Sequence, residues 1–144
     1  MRIIMACSTL LMLSACATWS TETRIEEALY QTVSAMDVAQ SVQIAKNPDQ
    51  YAEASYPTAT VIGRHPTVAG QVLWGVGRGA FHYLITDELE RHDAPRWLRR
   101  AWQVVNIGIE GDVVHRNWQI GLHFGHTVST QPVLCEPPTT GSCK

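Results

Sequence analysis

Residues 66–91, Pro-Thr-Val-Ala-Gly-Gln-Val-Leu-Trp-Gly-Val-Gly-Arg-Gly-Ala-Phe-His-Tyr-Leu-Ile-Thr-Asp-Glu-Leu-Glu-Arg, decide the fold class. Val68, Val72, Leu73, Val76, Ala80, Tyr83 and Leu84 recur three or four apart, the period of one broad helical stripe. Pro66 lies at the opening turn, where its fixed φ and missing N–H are tolerated. The spacing predicts a helix over about 67–91. Glycines at 75, 77 and 79 interrupt it. Gly75 and Gly79, four apart, share a face on which a neighbouring helix can come close.

The same period appears on both sides. Upstream, Ile25, Leu29, Val33, Met36, Ala39 and Ile44 predict a helix over 22–46. Thr21 is its expected cap, Glu22, Glu26 and Glu27 suit its positive end, and Asn47-Pro48 stops it. Residues 47–66 keep no periodicity and read as a long loop. Downstream, Asp93-Ala94-Pro95 reads as a new start, and Leu98, Ala101, Trp102, Val105, Ile109 and Val113 carry a third helix to about Asn117. Trp118 to Phe124 alternates apolar and polar like a short strand. An isolated strand is unstable, so an extended or frayed segment is expected there. The predicted fold is all-α: a small three-helix bundle over 22–126, a long loop between helices 1 and 2, and an irregular Thr/Pro-rich tail over 127–144.

The first residues carry a different signal. Arg2 precedes an apolar stretch, Ile3 to Ala15, that ends in Leu13-Ser14-Ala15-Cys16. A basic start, a short apolar core and small residues at a cut describe an export signal. The stretch is shorter than the ~20 residues of a bilayer-spanning helix. Leu-Ser-Ala-Cys resembles the lipobox of bacterial lipoproteins. That resemblance implies cleavage of the signal at 1–15, acylation of Cys16, including palmitate-type chains, and a lipidated tether over 16–21. It places the chain in the cell envelope on the periplasmic side, held to the membrane through its N-terminal lipid. Ala17, rather than aspartate, after the cysteine leans towards the outer membrane.

Composition agrees with one exported domain. Losing Arg2 takes one cation from the eleven Lys/Arg that face thirteen Asp/Glu, so the mature chain is mildly acidic and no nucleic-acid partner is expected. Cys7 leaves with the signal and Cys16 takes lipid. Cys135 and Cys143 remain, an even pair in an oxidising compartment, and a disulfide between them is expected. Two cysteines alone do not complete a structural zinc site. Five tryptophans demand a core or interface that accepts a ring with one polar edge.

Chemistry-bearing residues are sparse. Asp37, His82 and Glu110 fall near the middles of the three helices, where a bundle could bring them to one height as a polar cluster; a histidine between carboxylates suits acid–base work or a metal. His115, His123 and His126 are a second, less regular group. No Gly-x-Ser-x-Gly elbow and no double-histidine zinc-protease spacing occurs, and Gly75 to Gly79 lacks the lysine of a phosphate loop. No metal or cofactor is expected. Arg96, Trp97, Arg99, Arg100 and Trp102 form a basic, aromatic cluster suited to a membrane surface. Asp37 to Ser41, Ile62 to Pro66 and Asn117 to Gly121 resemble a set of small bacterial and phage proteins without an established activity. The resemblance implies helix–loop–helix–helix order and no mechanism.

The expected function is therefore a lipid-anchored envelope module, of bacterial or prophage origin, that binds the membrane surface or another envelope protein and is not an enzyme. One alternative is a metal-dependent or acid–base enzyme using Asp37, His82 and Glu110. Another is a multi-span membrane protein. Against the latter stand Gln71, Arg78 and His82 in the second helix, the charges of the third, and the arginines at 91–100, which would sit on the outside with the anchor against the positive-inside tendency.

Overall fold

A computed structural model of the chain describes residues 19–124 and 126–127; the lipobox, the side chain of His126, the Cys135/Cys143 pair and the tail lie outside them. Four helices account for nearly all of the described structure: α1 Thr21–Lys46, α2 Tyr56–Ile62, α3 Val68–Arg91 and α4 Arg96–Gln119. The long elements fall within one or two residues of the boundaries that periodicity and proline placement predict. The cap of α1 is Ser20 rather than Thr21: its hydroxyl oxygen accepts from the Thr23 N–H at 3.1 Å. Thr67 caps α3 the same way, accepting from Gly70 N–H at 3.0 Å.

Two expectations need correction. The loop between helices 1 and 2 is not without structure: α2 forms inside it, with Pro57 in its first turn. Its register is held from outside. Trp74 Nε1 donates to Thr58 Oγ1 at 3.1 Å, and Glu53 N–H donates to Arg64 O at 2.8 Å, closing the segment on itself. The segment after α4 also differs. Leu122–His123 (β1) pairs antiparallel with His126–Thr127 (β2), so the alternating segment finds its partner in the residues just after it. Gly121, at φ 87°, makes the turn out of α4. Gln40, fully buried on α1, holds this hairpin by donating to Leu122 O at 3.0 Å and Val114 O at 3.3 Å.

α1 packs along both long partners. It runs parallel to α4, with Glu22 beside Arg96, Glu27 beside Gln103 and Gln40 beside Val114. It runs antiparallel to α3, with Thr23 beside Glu90, Glu27 beside Thr86 and Asp37 beside Arg78. Close approach to α3 depends on two glycines. A Cβ on Gly75 would collide with Val38, and one on Gly79 would come within 2.8 Å of Gln31 Oε1.

The bundle is turned inside out. Among the described residues only Trp19, Tyr30, Ile44, Pro66 and Leu122 are buried apolar side chains. Buried polar ones are far more numerous and lie on every inward face: Glu27, Asp37 and Gln40 on α1, Gln71, His82 and Thr86 on α3, Gln103 and Glu110 on α4. The apolar stripe of α3 faces outward instead, with Leu73 71% and Val76 64% exposed. Leu29 on α1 and Val105 and Ile109 on α4 do the same. A water-soluble bundle gains about 1.5–3 kcal/mol for each such side chain that it buries. This one forgoes that gain across the outside of all three long helices.

Candidate functional site: a polar seam through the bundle

The seam begins where α1 and α4 start and α3 ends. Trp19 Nε1 donates to Asp87 Oδ1 at 3.0 Å, and the Thr23 hydroxyl donates to Glu90. Each arginine of the predicted surface cluster meets a carboxylate: Arg96 with Glu22 at 2.8 Å, Arg99 with Glu90 at 2.5 Å, Arg100 with Glu22 at 3.2 Å and Glu26 at 3.6 Å. Arg91 pairs with Asp87 at 2.8 Å. The cluster is thus close to neutral as a whole. Of its two tryptophans, Trp97 projects outward, whereas Trp102 turns inward and donates Nε1–H to Thr86 Oγ1 at 3.2 Å. The Arg96 hydrogen bond, with the charges of Arg100, Arg96 and Arg99, holds the Glu22 carboxyl below its ordinary range, against a smaller effect of burial. A recess of about 210 Å³ opens here between Ser20, Glu22, Glu26 and the three arginines of α4.

One to two turns further in, Glu27 gathers donors from three helices. Gln31 Nε2 lies at 2.7 Å, Thr86 Oγ1 at 2.9 Å and Gln103 Nε2 at 3.2 Å. His82, 2% exposed, places Nδ1 3.0 Å from Glu27 Oε2, an ion pair whenever the imidazole is protonated. That contact is not aligned as a hydrogen bond, and both ring nitrogens are without a hydrogen-bond partner. The imidazole is instead clamped by rings, stacked on Tyr30 at 3.5 Å between centroids and facing Trp102 at 5.0 Å.

Arg78 occupies the middle. Nη1 lies 2.5 Å from Glu110 Oε1 and Nη2 2.6 Å from Asp37 Oδ2, so one guanidinium joins α3 to both other long helices. Asn117 Nδ2 donates to the other Asp37 oxygen at 3.3 Å. The seam ends at Gln71, whose Nε2 donates to Glu53 Oε2 at 3.1 Å.

Of the predicted cluster, Asp37 and Glu110 therefore share a partner, and His82 is assigned to Glu27. Sequence reading did not single out Arg78 or Glu27 as the groups that organise the seam. The available signal for Arg78 was its phase: Gln71, Gly75, Arg78, His82 and Thr86 recur three or four apart and form a second stripe on α3. Among the described residues, no group of three or more histidine, cysteine or acidic side chains is placed to hold a metal ion. What the arrangement can do is hold charge away from water. Arg78 offsets two carboxylates, and Glu27 is satisfied by three neutral donors.

No family model matches this chain, and searches of curated proteins and of solved structures found no match either.

Proposed function

We propose that the chain is a lipid-anchored cell-envelope protein, tethered through Cys16 on the periplasmic side, outer membrane rather than inner, and encoded by a bacterium or a prophage. It works as a binding or envelope-associated module rather than as an enzyme. The observation that carries this reading is the placement of its polar groups. Asp37, His82 and Glu110 are buried inside the bundle, while the apolar side chains point outward. The recess at the arginine end is lined by none of the three. A protein whose chemistry is enclosed and whose exterior is sticky acts through that exterior. Labelling cells with a fatty-acid analogue tests the anchor. Label that survives a Cys16→Ala change, or that never appears on the native chain, removes it.

A second reading has one observation in its favour. His82 Nε2 and Glu110 Oε2 are both buried without a hydrogen-bond partner, as groups that exchange a proton with a third party would be. Acid–base chemistry at His82 with Glu110 and Asp37 would then be abolished in an Asp37→Asn, His82→Gln, Glu110→Gln series. Purified protein showing no pH-dependent turnover or proton uptake that these variants alter ends that reading.

A further inference from the structure

We infer that the recess at the arginine end seats the headgroup of a zwitterionic phospholipid, its phosphate on Arg96 and Arg100 and its primary ammonium on Glu26. The inference deepens the envelope reading above and rests on it for where the headgroup comes from.

The recess is a cavity whose charged walls are incompletely bonded. Its volume of about 210 Å³ lies between the first turns of α1 and α4, which start side by side because the two helices run parallel. At roughly 30 Å³ for each water molecule, it has room for several waters or for one phosphoethanolamine group. Glu26 accepts no aligned hydrogen bond among the described residues, and Arg100 Nε, its ion-pair partner, stands 3.6 Å away. That side chain is only 17% exposed, and burial pushes its carboxyl up more than the Arg100 charge lowers it. Arg100 approaches Glu22 at 3.2 Å without the alignment of a hydrogen bond, and about half of its side chain remains open to a ligand. An ammonium beside Glu26 and a phosphate oxygen on Arg100 complete both groups.

The charges of the recess select the class of ligand. Arg99 is taken up by Glu90 at 2.5 Å. Arg96 and Arg100 then stand against Glu22 and Glu26, two cations and two carboxylates round one cavity. A bare anion there meets the carboxylates, and a bare cation meets the guanidiniums. A ligand that carries one charge of each sign meets its opposite on both walls. Guanidinium forks match phosphate oxygens. Glu26 needs an N–H donor, which a primary ammonium has and a quaternary one lacks.

Position supplies the source. Trp19 is fixed to α3, donating to Asp87 and lying 4.9 Å from Tyr83 between ring centroids. Cys16 precedes it by three residues, which reach at most about 11 Å. Acyl chains on Cys16 therefore keep this end of the bundle, with Ser20 on the wall of the recess, at the headgroup layer. Exposed Trp97, next in the chain to Arg96, suits the same interface.

The test uses the full chain purified from its native membranes and delipidated in mild detergent, with the fold of each variant checked by circular dichroism. Native mass spectrometry follows its titration with phosphatidylethanolamine, phosphatidylcholine and phosphatidylglycerol of matched tails. Phosphatidylethanolamine should bind about tenfold tighter than either of the others, the order of one charge-assisted hydrogen bond. Glu26→Gln should erase the margin over phosphatidylglycerol, because the carboxylate that repels a plain anion is gone. Arg100→Gln should weaken phosphatidylethanolamine itself. Glycerophosphoethanolamine, the same headgroup without tails, should compete, and inorganic phosphate should not. Equal binding of the three lipids, equal competition by phosphate, or an unchanged preference in Glu26→Gln overturns the inference. Glycerophosphoethanolamine bound as tightly as the whole lipid overturns the membrane as the source. Acyl mass on Cys16 is read in the same spectra. An acylated chain without the lipid preference defeats only this inference, and the preference on a chain without acyl mass defeats only the anchor.

Discussion

Arg78 Nη2 stands 2.6 Å from Asp37 Oδ2, while the other arm of the same guanidinium holds Glu110. This single fork ties the three long helices together at mid-height. Its planar geometry is what lets one side chain serve two carboxylates on different helices.

Removing the fork should be severe. Arg78→Met leaves two buried carboxylates facing each other and should cost about 3–5 kcal/mol of stability, read by denaturant titration in mild detergent. Arg78→Met combined with Asp37→Asn and Glu110→Gln should recover most of that loss. A single variant within 1 kcal/mol of the parent would show that the pairs are incidental.

The glycines of α3 should divide by face. Gly75→Ala drives a methyl into Val38 and should destabilise by about 1–3 kcal/mol. A Val38→Ala partner change should relieve part of this, giving a favourable coupling in a double-mutant cycle. Gly77 has open space around a Cβ, so Gly77→Ala should stabilise the helix, by up to about 1 kcal/mol. Equal effects at the two positions would contradict the packing.

The clamp around His82 predicts a spectroscopic change. His82→Ala empties the slot between Tyr30 and Trp102, and should cost about 2–4 kcal/mol with a shift in Trp102 emission. His82→Phe restores the stack but not the contact to Glu27, and should recover the emission better than the stability.

The hairpin after α4 should hang on one amide. Gln40→Leu deprives Leu122 O and Val114 O of their donor, at about 1–3 kcal/mol. Amide exchange should accelerate at Leu122 and His123 before it does so in α4. Uniform acceleration throughout the bundle would argue against a local tie.

Acid should loosen the arginine end. The Glu22 carboxyl is held low by Arg96, so its contribution is complete above the ordinary carboxylate value of 4.5 and disappears as pH falls through the lowered one. Protection against amide exchange at the start of α1, taken relative to the intrinsic rate at each pH, should fall on acidification below about pH 4.5, and the same step should be missing in Glu22→Gln. Because Glu22 is solvent-accessible, added salt should shrink the effect.

Local signals made the elements legible. Pro66 and Pro95 mark where α3 and α4 begin, Asn47-Pro48 marks where α1 ends, and the 3.6-residue period fills the spans between. α2 was illegible because its seven residues gain their order from Thr58 and Trp74, which are far apart in sequence. The seam was half legible. Asp37, His82 and Glu110 stood out as ionisable groups in apolar helices, but their partners, Arg78 and Glu27, are matched only across helices. The short strands are illegible because each is two residues long, too short to carry a pattern, and Leu122 pairs with Thr127 only five residues on.

What the sequence alone determined is where each long helix starts, how long it runs, and that it carries an apolar stripe on one side and a polar stripe on the other. Both stripes of α3 repeat with the same period: Val68, Val72, Val76 and Ala80 in one, Gln71, Arg78, His82 and Thr86 in the other. Periodicity is symmetric under exchange of inside and outside. It is packing between helices that turns the polar stripe inward. There the carboxylates, amides and guanidinium of three helices complete one another, which no single helix can do for itself.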